Sequence, residues 1–302
     1  MRRTSISPIY LYTLSLEFVK ARKKINCSGR GRPRKYPDAF ILTIASLKEL
    51  FGFSYREVLE FVGWFWKEIP SLSDFHYRLS NLNNFFLKEF ISFLSFRLIK
   101  NGLLPQEYII DGTGWSYQDC YPLKMLRGSE VRLIRSHVRT IALAGATKRK
   151  RFFISALSGR AYANEVRLGI QLLATTKIPR PGPLLGDKAY DSISFLEMII
   201  KKGCFPVIDI KGKNSFYQNI SHPLRKLSLK NIQESNLYSK RTLIEGLFGN
   251  AKEKLGSHIK VFRKDIAQNL ALIRLALVNI SLLVKVDEKN IKILLIFRTV
   301  SG

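Results

Sequence analysis

The sequence predicts an α/β fold, a mixed β-sheet flanked by helices, preceded by an all-α region. Three observations carry this. Between Tyr108 and Lys211, apolar runs of strand length alternate with segments of helical period. Ahead of Gly102 and Pro105 the apolar segments instead follow helical spacing and are separated by helix start and stop signals. With 302 residues, 46% hydrophobic and 12% aromatic, the chain can bury a full core and a smaller second one.

At the N-terminus, the apolar character of the first twenty residues is broken by Thr13, Ser15 and Glu17, which makes a poor signal peptide. From Lys20 to Lys35 the chain carries eight basic residues and no acidic one. Residues 1–37 therefore read as a basic arm. Its Arg30-Gly-Arg32-Pro-Arg34 core, followed by Lys35, resembles an AT-hook, whose arginines enter a narrow minor groove; the alternative is a solvated basic linker. Asp38 then caps a helix that stops at Gly52, and Ser54 with Glu57 forms a capping box for the next. A third short helix runs from Ser71 to Ser80, and a longer one over residues 85–100. The 38–104 region fits a helix-turn-helix reading the major groove through His76 and Arg78, or a plain helical bundle.

Beyond Pro105, strands ending in Asp111-Gly-Thr and over 138–146 and 151–159 make a meander, the last two joined at Thr147 by Lys148, Arg149, Lys150 and Arg151. A helix over 164–176, a short strand ending at Asp187, a helix over 194–202 and a strand over 204–211 follow. The stretch from Asp209 to about Lys230 reads as basic and irregular. It leads to a helix from Tyr238 to Lys252, and a last apolar helix covers 266–286. This order is that of an RNase H-like fold, assigned to 105–286, with 287–302 as a tail. In such a sheet Asp111 and Asp187 lie on adjacent strands, and Glu245 comes from a helix crossing them. At about 100° per residue, Tyr238, Arg241, Glu245 and Lys252 share an arc of roughly 60°. Three converging carboxylates need a cation, and hard oxygen ligands favour Mg²⁺, or Mn²⁺, as a pair of ions serving phosphoryl transfer. Trp115 is either core or a surface for a displaced base.

Composition narrows the partner. Fifty Lys and Arg against 23 Asp and Glu give a net charge of +27, which points to a polyanion and first to nucleic acid. An anionic membrane surface or an RNA scaffold is the alternative. The three cysteines, Cys27, Cys120 and Cys204, form no CxxC, and the four histidines are isolated, so neither a disulfide framework nor a zinc site is expected. Nor is any small-molecule cofactor or membrane span. The expected setting is cytoplasmic and nucleoid-associated.

The motifs Asp111-Gly-Thr, Gly186-Asp187-Lys-Ala-Tyr-Asp191-Ser and the spacing Tyr238-x2-Arg241-x3-Glu245-x6-Lys252 resemble the DDE transposases of insertion sequences, in the branch with a Y-R-E-K signature. The resemblance covers roughly Tyr108 to Val284. It implies Asp111, Asp187 and Glu245 as a metal-binding catalytic triad, with Tyr238, Arg241 and Lys252 on DNA phosphates. It further implies double-stranded DNA as partner, both element ends and target, with a homodimer assembled on it. Asp119 and Asp191 read as capping or surface carboxylates, with a further metal ligand as the alternative. The 57 residues between Asp187 and Glu245 leave no room for the large β-rich insertion of some members, which puts hairpin processing in doubt. The rivals are a non-catalytic DNA-binding descendant and an RNase H-like nuclease.

Overall fold

The computed structural model describes residues 6–23, 35–124, 131–211 and 222–300, without the side chains of Lys23, 121–124, 131–134 and 288–300. Arg30, Arg32 and Arg34 of the AT-hook-like segment lie outside the described residues.

Five helices come first. The helix α1 (Pro8–Lys23) was not legible in the sequence, because Thr13, Ser15 and Glu17 interrupt its apolar run. It forms nonetheless, burying Leu11, Leu14 and Phe18 on one face while Glu17 on the outer side pairs with Arg97. The helix α2 (Asp38–Phe51) is buried almost all round and ends where Gly52 adopts φ +69°, the left-handed stop expected of it. Both bonds of the capping box open α3 (Tyr55–Gly63): the Glu57 N–H donates to Ser54 Oγ at 3.3 Å, and the Ser54 N–H to Glu57 Oε2 at 2.6 Å. In α4 (Leu72–Ser80) Arg78 is nearly buried, donating to the Tyr36 carbonyl at 2.9 Å and to Asp38 Oδ1 at 2.7 Å. It pins the entry to α2, so of the two residues singled out for a helix-turn-helix, Arg78 is engaged within the helical region itself. Last comes α5 (Asn84–Lys100).

The sheet follows: β1 (Glu107–Lys124), β2 (Val131–Ala146), β3 (Arg151–Arg160), then α6 (Glu165–Thr175), β4 (Pro183–Gly186), α7 (Ile193–Lys201) and β5 (Phe205–Ile208). Its order is β3-β2-β1-β4-β5, antiparallel through the meander and parallel from β1 onward. This is the mixed sheet expected of an RNase H-like chain. The stretch read as irregular up to Lys230 is corrected in part, with 212–221 outside the described residues: Pro223–Ser235 forms α8, with His222 as N-cap and Pro223 in the first turn, where a missing N–H breaks no intrahelical bond. The chain then passes through a 3₁₀ turn, Tyr238–Thr242, into α9 (Leu243–Leu255), the two-residue strand β6 (His258–Ile259) beside β1, and α10 (Lys264–Val300).

The helical region and the sheet share one core. Ser92 and Ser95 of α5 donate to the Ile154 carbonyl of β3, and Asn279 of α10 exchanges two bonds with the backbone of Phe153. By length and composition Lys264–Asp287 could cross a membrane, but most of it is buried inside the protein, as a central core helix is.

Candidate active site

The parallel pairing of β1 with β4 sets the first two carboxylates. Tyr108 lies opposite Leu184 and Ile109 opposite Leu185, and carrying that register two residues further brings Asp111 to the level of Asp187, the residue at which β4 gives way to a turn. Strand alternation turns Ile110 and Gly112 towards α6, and Asp111 and Trp115 towards α9 and α10. Asp111 accepts the Gly112 N–H at 2.8 Å; Asp187 accepts the Ala189 N–H at 2.6 Å, capping the turn that ends the strand. Burial pushes the Asp111 carboxyl up to about 6. The Gly112 bond opposes that, Asp187 adds to it, Arg241 opposes it, and Glu245 adds to it again. These four groups therefore sit in one electrostatic neighbourhood.

The segment carrying Glu245 differs from the single helix expected. Its first turn is 3₁₀, where residues i and i+3 eclipse, so Tyr238 and Arg241 stay on one side. Lys240 anchors the turn to the start of β1 through Glu107, at 2.7 Å. Arg241 Nη1 lies 3.2 Å from Glu245 Oε1, and the Glu245 side chain is 53% exposed. Lys252 lies over the Trp115 ring at 5.5 Å from its centre, and burial lowers its ammonium pKa. Trp115 is fully buried, with the Arg274 guanidinium 5.3 Å from its ring. It is core, and no base can stack on it.

Among the described residues, no three His, Cys, Asp or Glu side chains are gathered closely enough to cage an ion. The third carboxylate, Glu245, is held by Arg241 instead. The Asp111 and Asp187 pair still suits a hard divalent cation: both offer oxygen, both repel each other, and Mg²⁺ commonly takes one or two carboxylates and completes its shell with water and substrate phosphates.

Of the spare carboxylates, Asp191 is fully buried and accepts two bonds from Arg225, at 2.9 and 2.7 Å, and one from the Lys211 N–H. It ties α8 to the end of β5. Asp119 is exposed and accepts the Cys120 N–H. Lys148, Arg149, Lys150 and Arg151 are all exposed at the β2–β3 turn, and Lys35 is exposed, 3.4 Å from Glu68. Sequence reasoning missed Glu165. Its carboxylate lies 3.5 Å from where a Cβ on Gly112 would stand, paired with Arg139. It was missed because nothing in the spacing ties the first turn of α6 to β1. The buried Tyr190 hydroxyl, which has no hydrogen-bond partner among the described residues, lies in the field of Glu165, Asp111 and Asp187.

Residues 104–280 match the family model described as a transposase DDE domain. An uncharacterized protein of Aquifex aeolicus (strain VF5) is 29% identical over 280 residues, which span 91% of this chain and 86% of that protein. The cryo-EM structure of a piggyBac transposase synaptic complex with hairpin DNA aligns over 91% of this chain and 74% of its own at 11% identity, with a TM-score of 0.41, too distant a likeness to carry an argument.

Proposed function

Because this chain belongs to the transposase DDE-domain family, we propose that it is a DNA transposase of the Y-R-E-K branch. In this reading it binds the terminal inverted repeats of its own element as a homodimer, cuts at the ends, and joins the freed 3′-hydroxyls to target DNA in the cytoplasm. The observation that supports it best is the parallel register of β1 on β4, which carries Asp111 towards Asp187 just past the end of β4, with Asp187 and Glu245 both raising the Asp111 carboxyl.

Asp111, Asp187 and Glu245 are the proposed ligands of Mg²⁺ or Mn²⁺, which when bound would neutralise charge on the attacked phosphate. The rest falls to the chain's own side chains. Tyr238 and Arg241 on their half-buried turn, Lys252 from its seat on Trp115, and the exposed Lys148–Arg151 turn hold phosphates. When a phosphate takes Arg241, the 3.2 Å pair with Glu245 opens, and that carboxylate can turn towards the aspartates. The active centre is then completed only when DNA is in place. Replacing Glu245→Gln should lower Mg²⁺-dependent cleavage of DNA bearing the element ends by more than about 100-fold, with end binding retained. Undiminished cleavage in that variant would refute the assignment.

A second reading, a non-catalytic DNA-binding descendant, draws on Glu245 being held away from a three-carboxylate cage. Nicking of end-bearing DNA by the wild-type chain with Mg²⁺ eliminates it; DNA binding without nicking under the same conditions favours it.

A further inference from the structure

A groove of about 420 Å³ opens on the far side of Trp115 from Asp111, between β1, the β3–α6 turn and the start of α10. It is lined by Tyr117, Ser136, His137, Arg160, Tyr162 and Lys264, among others. Its origin is a bulge. Ser116 pairs with His137 and Cys120 with Arg135, so Tyr117, Gln118 and Asp119 all face the single residue Ser136. Bulges of this kind bend a strand and re-aim its side chains beside functional sites. Tyr162, in the turn after β3, is 72% exposed and stands edge-on to His137, ring centres 5.7 Å apart. An exposed phenol held at a fixed angle beside an imidazole, over a mainly apolar floor, is a stacking surface. Its rim is cationic: Arg160 and Lys264 line it and are exposed. Nearby, Arg135, Arg274 and Lys260 help burial to depress the His258 imidazole, a sign of the positive potential here.

Resting on the transposase reading above, we propose that this groove receives an unpaired nucleobase of the bound DNA, stacked on Tyr162, with its phosphates on Arg160 and Lys264. Stacking on an aromatic ring beside a cationic groove is how proteins hold single strands without reading sequence. The groove and Asp111 are joined by one strand. Tyr117 lies six residue steps along β1 from Asp111, about 20 Å, or roughly six steps along one DNA strand. A base in this groove would thus belong to the molecule whose phosphate lies at the carboxylates.

The test uses the full chain without divalent metal, in fluorescence anisotropy titrations. The probes are a blunt duplex of mixed sequence and the same duplex with a short central single-stranded gap carrying 2-aminopurine. Expected is a preference for the gapped DNA of about fivefold or more, lost in Tyr162→Ala and kept in Tyr162→Phe, with 2-aminopurine emission changed on binding only where the aromatic ring is present. Equal affinity of the wild type for both DNAs, a preference unchanged in Tyr162→Ala, or equal weakening of both DNAs by that variant overturns the inference and leaves the transposase reading standing. Binding of neither DNA overturns both.

Discussion

Asp111 is pushed up to about 6 because it is buried beside two other carboxylates, and that displacement has a sign. Its folded-state pKa lies above the ordinary carboxylate value near 4, so folding favours the protonated form. The stabilisation this gives is complete below about pH 4 and is lost as pH rises through about 6. At neutral pH and without metal, Asp111→Asn should therefore stabilise the protein, by about 1–2 kcal/mol after allowing for solvent screening, and should flatten its stability between about pH 4 and 6. Urea melts across that range check both; an Asn variant no more stable than wild type at pH 7 contradicts them. A neighbouring prediction concerns Arg241. It neutralises Glu245 and opposes the rise at Asp111, so it competes with any cation for the same charge. Arg241→Ala should bind Mn²⁺ more tightly than wild type in the absence of DNA, by about tenfold, while binding DNA less tightly. Calorimetric titration showing equal Mn²⁺ affinity would remove Arg241 from its proposed role as a gate.

Among the elements, the junction of α2, α9, β6 and α10 depends on Arg274. Its guanidinium bonds Glu49 Oε2 at 2.5 Å and the carbonyls of Gly256 and His258 at 2.8 and 2.9 Å, over the face of Trp115. Arg274→Leu leaves the buried Glu49 with Lys48 alone and frees two carbonyls, a loss of about 3–5 kcal/mol and roughly 10 °C in Tm. Adding Glu49→Met should recover part of it, since no uncompensated carboxylate then remains; a thermal melt of the double variant no better than the single one would disprove that account. This junction also shows where sequence reading stops. The meander, the adjacency of Asp111 to Asp187, the capping box and the Gly52 stop were all legible, because each follows from local spacing and turn chemistry. Arg274 to Glu49 was not, since 225 positions separate them and nothing local pairs a charge in one apolar helix with a charge in another. The same holds for Asp191 with Arg225 and for Glu165 against Gly112. The helix α1 was missed for the opposite reason: its local pattern is poor and tertiary packing overrides it. The 3₁₀ turn at Tyr238 was also beyond sequence, because a single turn of either helix satisfies the same spacing.

For the molecule as a whole, a net charge of +27 is the largest single fact, and its distribution decides what it does. The carboxylates that matter structurally are each matched by a cation: Asp38 by Arg78, Asp191 by Arg225, Glu49 by Arg274 and Lys48, and Glu107 by Lys240. Since these four carboxylates take up only five cations, the excess positive charge falls to groups such as the exposed Lys148–Arg151 turn and the basic arm. Folding gains nothing from that excess, because like charges repel in the compact state. Phosphates neutralise it, and each neutralised phosphate releases counterions, so the logarithm of the DNA association constant should fall with the logarithm of salt at a slope steeper than about −5. If the β2–β3 turn contacts the backbone, changing Lys148, Arg149, Lys150 and Arg151 together to Ser should make that slope shallower by about two to four and weaken binding to all sequences alike. The turn is exposed and held by Thr147 through bonds to the backbone of Lys150, so the substitution leaves the fold intact. A slope unchanged in the fourfold variant would place the DNA path elsewhere. A slope near zero in the wild type would mean that the surplus charge serves no polyanion at all.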